Sequence, residues 1–145
     1  MKEFIYFPSL SAGSMVSAFK KNTKFKSEDG TTTRFFSSEY PAEWRHPYFL
    51  ITAGHHYKKM DFRQQIGLED DVFVFGDSGG FQIATGALKW DTTIREKIFH
   101  WLEANSDVAA NLDIPPRATY ENRFTDSMDI SFDNFKWFEK HQSGK

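Results

Sequence analysis

The chain of 145 residues carries a formal net charge of −2 and contains no cysteine. This length is sufficient for one domain with a hydrophobic core, and the near-neutral charge argues against an overall basic nucleic-acid surface. The lack of cysteine excludes disulfides and thiolate metal sites and fits a cytoplasmic protein, and no stretch has the uninterrupted apolar run of a signal peptide or membrane span.

Residues 1–47 show few signals of regular structure. They mix Ser, Thr, Gly and charged residues, and we interpret them as an irregular lead-in to a single domain that spans residues 1–145. One locally basic segment, which a solvated loop explains as well as a nucleic-acid contact does, contains Lys20, Lys21, Lys24, Lys26 and Arg34.

From residue 48 onward, strand and helix patterns alternate. The apolar run Tyr48–Ala53 predicts a strand that stops at Gly54, and Tyr57–Ile66 has a helical pattern. Val72–Phe75 predicts a second strand.

The next helix is predicted from about Thr92 to Asn105. Thr93 and Glu96 have the spacing of a capping box at its start. Its apolar positions share one face and are Ile94, Ile98, Trp101 and Leu102.

The last predicted unit begins with the run Val108–Ile114, which stops at Pro115 because proline cannot continue a central strand. A final helix is indicated by near-helical apolar spacing, with Asp126 as its cap. Its apolar positions are Met128, Phe132, Phe135 and Phe138, and we interpret Trp101, Phe135 and Trp137 as helix packing.

The predicted order β-α-β-α-β-α favours an α/β protein with a parallel sheet and right-handed crossovers, in which ligands collect at the carboxyl ends of the strands. Asp77 and Asp113 follow the second and third strands, so we expect them to converge on one pocket, as in a (β/α)8 barrel. A complete barrel needs roughly 250 residues. About three βα units therefore predict a partial TIM barrel: an N-terminal piece, a split subunit or a shortened relative.

The turn after the second strand carries the strongest functional signal. It places a carboxylate and a hydroxyl at the end of a rigid strand, and its two glycines let backbone amides approach a ligand. Its residues are Gly76, Asp77, Ser78, Gly79, Gly80, Phe81 and Gln82.

Part of this turn, Gly76–Gly80, resembles the nucleophile motif of chymotrypsin-like serine proteases, and Thr52–His55 loosely resembles their histidine motif. We reject this interpretation, because those enzymes use two antiparallel barrels that separate His and Ser widely in sequence. Here a short segment with a predicted helix separates His55 from Ser78.

Together, Asp77-Ser78-Gly79-Gly80-Phe81-Gln82 and the later Leu112-Asp113-Ile114-Pro115 resemble the tRNA-guanine transglycosylase family, which includes phage-type enzymes that act on DNA. The likeness covers roughly residues 48–140. It implies a TIM-barrel enzyme that replaces guanine in tRNA or DNA with a 7-deazaguanine base, through a covalent intermediate at the sugar C1′.

The resemblance also implies roles for individual residues. Asp113 would accept hydrogen bonds from N1–H and the exocyclic amine of the base, and Asp77 would be the catalytic carboxylate beside the reacting base and sugar. The pocket would be lined by Ser78, Gly79, Gly80, Phe81 and Gln82.

Other parts of the family pattern are not placed in this chain. The family's nucleophilic aspartate comes from a later barrel strand, and a zinc site of three Cys and one His comes later still, so we expect no cofactor in this segment. An alternative is therefore a non-catalytic accessory or base-binding module that pairs with a full-length or complementary partner chain or forms a homo-oligomer.

Two further sets of residues are weaker candidates. His55 and His56 could ligate a metal, but no suitably spaced carboxylate accompanies them. The helix-spaced carboxylates are interpreted as solvated charges and are Asp126, Asp129 and Asp133.

Overall fold

A computed structural model describes residues 5–9, 25–26, 32–33, 46–119 and 123–144. The predicted basic segment falls largely outside these ranges, so its role stays a prediction. Its residues outside the described ranges are Lys20, Lys21, Lys24 and Arg34.

Three parallel strands form the central sheet, in the order β3-β4-β5. A separate antiparallel pair precedes them in the chain. The strands are β1 (Phe25–Lys26), β2 (Thr32–Thr33), β3 (Tyr48–Thr52), β4 (Phe73–Asp77) and β5 (Val108–Ala109). In register, Thr52 lies beside Asp77, so β3 and β4 end at the same level.

Helices follow each of the three parallel strands. They are α1 (Ala53–His56), α2 (Phe62–Gln65), α3 (Gly80–Ala84), α4 (Thr92–Asn105) and α5 (Phe124–His141), with a 3-10 turn at Pro116–Ala118. The prediction of an α/β protein with a parallel sheet is therefore confirmed.

The core lies between the sheet and α4. Ile51 and Val74 are fully buried on β3 and β4, where β-branched side chains suit the pleated surface. On α4, Ile98, Trp101 and Leu102 are buried, and Ile94 packs against this core. The predicted apolar face of α4 is thus confirmed.

The connection between β3 and β4 differs from its prediction. Of the helix predicted over Tyr57–Ile66, only Phe62–Gln65 is helical, as α2, and residues 57–61 form a break between α2 and the preceding α1. Side chains of α4 hold the carbonyls at this break, since Trp101 Nε1 donates to Lys59 O at 2.9 Å and Asn105 Nδ2 donates to Met60 O at 3.1 Å. The predicted last residue of the first strand, Ala53, already belongs to α1.

The starts of the two long helices also differ. The cap of α4 is Asp91, whose Oδ1 accepts from Ile94 N at 2.7 Å, so the capping box predicted at Thr93 is wrong. α5 begins after Arg123, and Asp126 lies inside its first turn, where it forms an ion pair with Arg123 at 3.5 Å.

The third strand is much shorter than the predicted Val108–Ile114, because only Val108 and Ala109 pair with β4. Beyond them, side chains of α5 bind the backbone: Asn134 Nδ2 donates to Leu112 O at 3.0 Å, and Ser131 Oγ accepts from Ile114 N at 2.9 Å. These bonds replace a strand ladder, so Asp113 lies in an extended segment past the strand.

Residues 5–9 run alongside β3. Ser9 forms a parallel bridge with Leu50, and Leu50 N donates to Pro8 O at 2.9 Å. Within the described ranges, no helix has the length and apolar character needed to cross a membrane.

Candidate functional site

The segments that follow β3 and β4 meet at the carboxyl edge of the sheet. Gly79 has a left-handed φ of 98°, and a Cβ atom there would lie 2.6 Å from the Cα of Gly54. Such a distance is sterically excluded, so only glycine allows the two backbones to approach this closely. The glycine-rich sequence is therefore required by packing between two strand ends.

The segment after β5 joins the same edge. A Cβ atom at Gly80 would lie 2.8 Å from the carbonyl oxygen of Asp113. Ser78 is buried, and its Oγ donates to Asn111 O at 2.8 Å. The two motifs, which are far apart in sequence, are thus in direct contact, as expected from their positions after neighbouring parallel strands.

The predicted site residues differ in their exposure. Ser78 and Gln82 are buried, Asp77 is partly buried and its Oδ1 accepts from Gly79 N at 3.4 Å, and Asp113 is exposed. The Phe81 side chain is 73% exposed. This edge therefore offers carboxylates and an aromatic ring on a rigid, glycine-packed turn, which suits a planar ligand with hydrogen-bond donors.

His55 is a neighbour of this turn whose contact sequence reasoning missed. Its Nε2 lies 2.9 Å from Gln82 Nε2. If the amide donates, the imidazole accepts through Nε2 and carries its proton on Nδ1. His55 is exposed, whereas Gln82 is buried beneath it. The signal available in the sequence was the position of His55 just past the neighbouring strand.

His56 has a packing role. It is buried and stacked on Phe62, with ring centroids 4.1 Å apart. Burial, and secondarily the charges of His55 and Lys59, lowers the pKa of His56 to about 4. Within the described residues, no group of three or more His, Asp or Glu side chains could hold a metal ion.

The segment that bears Asp113 is held by a polar face of α5, which we call the α5 clasp and define as Ser127, Ser131 and Asn134. Ser127 Oγ donates to Ile114 O, and the other two side chains bind the backbone of Leu112 and Ile114. The clasp fixes the backbone on both sides of Asp113. Its spacing along the helix was visible in the sequence, but its partner was not.

The serine-protease interpretation has no geometric support. The Ser78 hydroxyl donates to a backbone carbonyl, and Nε2 of His55 lies against the Gln82 amide. A triad requires the imidazole to accept the serine proton. In these contacts, neither Ser78 nor His55 meets that requirement.

A groove of about 410 Å³ lies elsewhere, between α4, β5 and α5. Apolar side chains line much of it, including Phe99, Leu102, Val108, Phe135 and Phe138. None of the seven predicted site residues lines this groove. The candidate site at the strand ends is therefore separate from this groove.

Comparison with known proteins adds no assignment: no family model, no curated protein and no solved structure matches the chain. The class that the described residues define is an α/β protein with a short parallel sheet. Its polar candidate site lies at the carboxyl ends of the strands, where sheets of this kind bind ligands.

Proposed function

We propose that the chain is a segment of a base-exchange transglycosylase that replaces guanine in tRNA or DNA with a 7-deazaguanine base. The observation that supports it is the contact between the two motifs on which the family resemblance rests. Gly80 abuts the carbonyl of Asp113, and Ser78 binds Asn111 O. Two separate sequence signals are therefore adjacent in space.

Base recognition would rest on Asp113. The N1–H and exocyclic amine of guanine are adjacent donors, and a carboxylate can accept from both through charge-assisted hydrogen bonds. The exposure of Asp113 leaves its carboxylate accessible to a ligand, and the exposed Phe81 ring offers a surface for stacking. The clasp holds the flanking backbone, which lowers the entropic cost of orienting the carboxylate.

The covalent step would need a group from outside the described residues. In the family pattern, an aspartate on a later strand attacks C1′, the bond from C1′ to the guanine nitrogen breaks, and the incoming 7-deazaguanine later displaces the aspartate. Asp77 would lie beside this reaction. Further βα units, in a longer chain or a partner chain, would complete the barrel and bring the nucleophile and the zinc site.

The test is isothermal titration of the protein with guanine and with 7-deazaguanine. We expect Asp113→Asn to lower affinity about tenfold or more, because one accepting oxygen becomes a donor amide facing the donors of the base. Hypoxanthine, which lacks the exocyclic amine, should bind more weakly than guanine. Asp133→Asn, an exposed carboxylate on α5, is the matched control. Equal affinities of wild type and Asp113→Asn would contradict the assignment.

A second candidate is a non-catalytic base-binding or accessory module. The short described sheet favours it, because that sheet has three strands and β5 contributes only two ladder residues, whereas a complete barrel has eight strands. Incorporation of labelled guanine into tRNA or DNA distinguishes the candidates. Exchange that appears only when further βα units are added supports the enzyme segment, and binding without exchange supports the module.

A further inference from the structure

The final helix, α5, buries polar side chains and exposes several large apolar ones. Its buried residues are Ser127 and Asn134, which belong to the clasp. Four of its large apolar residues instead face outward, with exposures of 47 to 65%, whereas Ile130 and Phe138 pack against the core. We call this exposed set the α5 stripe, and it consists of Phe124, Met128, Phe132 and Phe135. A large apolar surface of this kind marks an interaction site.

The stripe is continuous along one face of the helix. Its members follow each other at intervals of four, four and three residues, which places them on one side of an α-helix. The rings of Phe132 and Phe135 are 6.4 Å apart and nearly parallel, at 9°. Phe135 also lines the groove beside β5, where Val108 is 49% exposed. The stripe and the groove therefore form one surface.

Charge is distributed unequally along the same helix. Asp126, Asp129 and Asp133 lie in its N-terminal two-thirds, whereas its C-terminal part carries Lys136 and Lys140 together with Glu139. Asp129 and Lys136 are seven residues apart, so they lie on the same flank of the stripe, and the Lys136 ammonium lies over the Phe132 ring, 4.2 Å from its centre. Both charged residues are exposed. In an antiparallel pair related by a twofold axis, this flank meets the same flank of the second copy in reverse order, which brings Asp129 and Lys136 together. In a parallel pair it would meet the opposite flank instead.

We propose that the α5 stripe is the interface with a second copy of this chain, with the two α5 helices antiparallel about a twofold axis near Phe132. The symmetry would pair Phe132 with Phe132 of the second copy and Met128 with its Phe135. On the flank, Asp129 would pair with Lys136 of the second copy. The Phe132 pair lies on the axis and occurs once, and the other two pairs each occur twice, as an isologous contact requires. This inference goes beyond the proposed transglycosylase function, and its test measures association of the chain rather than binding or exchange of a base.

The apolar and charged pairs agree on the same axis. The midpoint between Met128 and Phe135 in the sequence lies within one residue of Phe132, and the midpoint between Asp129 and Lys136 does so too. In an antiparallel helix pair with this symmetry, residues of one flank meet the same flank of the partner helix, which is the arrangement that complementary flanking charges stabilise in coiled coils. A partner of unrelated sequence would not require the apolar pair and the charged pair of α5 to share nearly one midpoint.

The size of the surface predicts a weak dimer. α5 has 18 residues and is therefore about 27 Å long, and the stripe contributes four large apolar side chains from each copy. This contact lies at the low end of specific interfaces, so we expect a dissociation constant of about 10 to 100 µM.

Sedimentation velocity of the full chain, from about 5 µM to about 1 mM, tests this inference. The wild type should pass from the mass of one chain to twice that mass. Asp129→Lys alone and Lys136→Asp alone should each weaken association about tenfold or more, because each places two pairs of like charges across the twofold axis. An equimolar mixture of the two variants should associate again, because each hetero-pair then has opposite charges.

Glu96→Lys, an equal charge change at an exposed position of α4, is the matched control and should leave association unchanged. Circular dichroism of each variant checks folding, and recovery in the mixture shows independently that both variants are folded. A wild type that stays monomeric up to about 1 mM would overturn the proposal. Dimers that both charge variants leave intact would also overturn it, because they would use another surface.

Discussion

At the residue scale, two glycines with positive φ allow the effect of backbone conformation on stability to be distinguished from the effect of close packing. Gly79 and Gly86 have φ values of 98° and 75°, but only Gly79 is crowded, since a Cβ at Gly86 would meet no atom within 4 Å. Their substitution by alanine therefore carries the same kind of conformational cost and a different steric cost.

We expect Gly79→Ala to lower the free energy of unfolding by about 3 kcal/mol or more and Gly86→Ala by about 1 kcal/mol, since only the first forces Gly54 to move. Urea denaturation at pH 7 measures both. Similar losses for the two variants would show that the backbones of the candidate site are not in the contact described.

His56 gives the protein a pH-dependent stability. The folded state lowers its pKa from 6.5 to about 4, chiefly through burial, so the unfolded chain binds the proton more tightly. The stability that neutral His56 contributes is present above pH 6.5 and is lost as the pH falls toward 4. A shift of this size corresponds to about 2 to 4 kcal/mol.

His56→Phe should reduce this pH dependence, because phenylalanine can keep the stack on Phe62 and cannot be protonated. The difference between the unfolding free energies at pH 7 and pH 4 should be about 2 to 4 kcal/mol smaller than in the wild type. His100→Phe, at an exposed position, serves as the control. If the variant and the wild type lose stability in parallel, His56 does not titrate as described.

At the element scale, the sequence prediction and the structure assign different capping residues to the start of α4, and two substitutions test which is correct. Asp91→Ala removes the acceptor for Ile94 N and should cost about 1 kcal/mol of unfolding free energy, a normal value for an N-cap. Thr93→Ala should change it by less than about 0.5 kcal/mol, because Thr93 is an exposed residue inside the first turn. Thermal unfolding of both variants provides the measurement, and the reverse order of effects would restore the capping box.

The elements that the sequence predicted well are those whose signal is local. The runs that became β3 and β4 and the apolar face of α4 follow from hydrophobic periodicity, and the glycine-rich turn follows from its composition. The sequence also predicted that the segments after the second and third strands meet, because successive parallel strands end at one edge, and Gly80 does abut the carbonyl of Asp113. The candidate site was therefore largely accessible from sequence.

The elements that the sequence predicted poorly are those set by distant side chains. The helix predicted over Tyr57–Ile66 begins only at Phe62, after the turn where Trp101 and Asn105 bind backbone carbonyls. The third strand ends early where Asn134 binds Leu112 O. Phe135, interpreted as packing, is 47% exposed because polar residues of α5 face inward. None of these hydrogen bonds has a local sequence pattern.

At the scale of the whole molecule, the carboxyl ends and the amino ends of the parallel strands carry different groups of residues. The candidate site lies at the carboxyl ends, whereas a hydrogen-bond network lies at the amino ends. Arg63 donates to Val72 O at 2.6 Å and to Asp107 Oδ2 at 3.1 Å. Asp107 Oδ2 also accepts from Val74 N at 2.7 Å. This network joins α2 to the residues that begin β4 and β5.

Arg63→Met should therefore lower stability without changing the site. Methionine keeps much of the apolar stem but removes the guanidinium that donates to Asp107 and to the Val72 carbonyl, so we expect a loss of about 2 to 4 kcal/mol in unfolding free energy. Lys97→Met, at an exposed position of α4, should change it by less than about 0.5 kcal/mol. The affinity of the folded Arg63→Met protein for guanine should equal that of the wild type, because the network and Asp113 lie at opposite ends of the strands. Weakened binding at a temperature where the variant is fully folded would show that the two ends of the sheet are coupled.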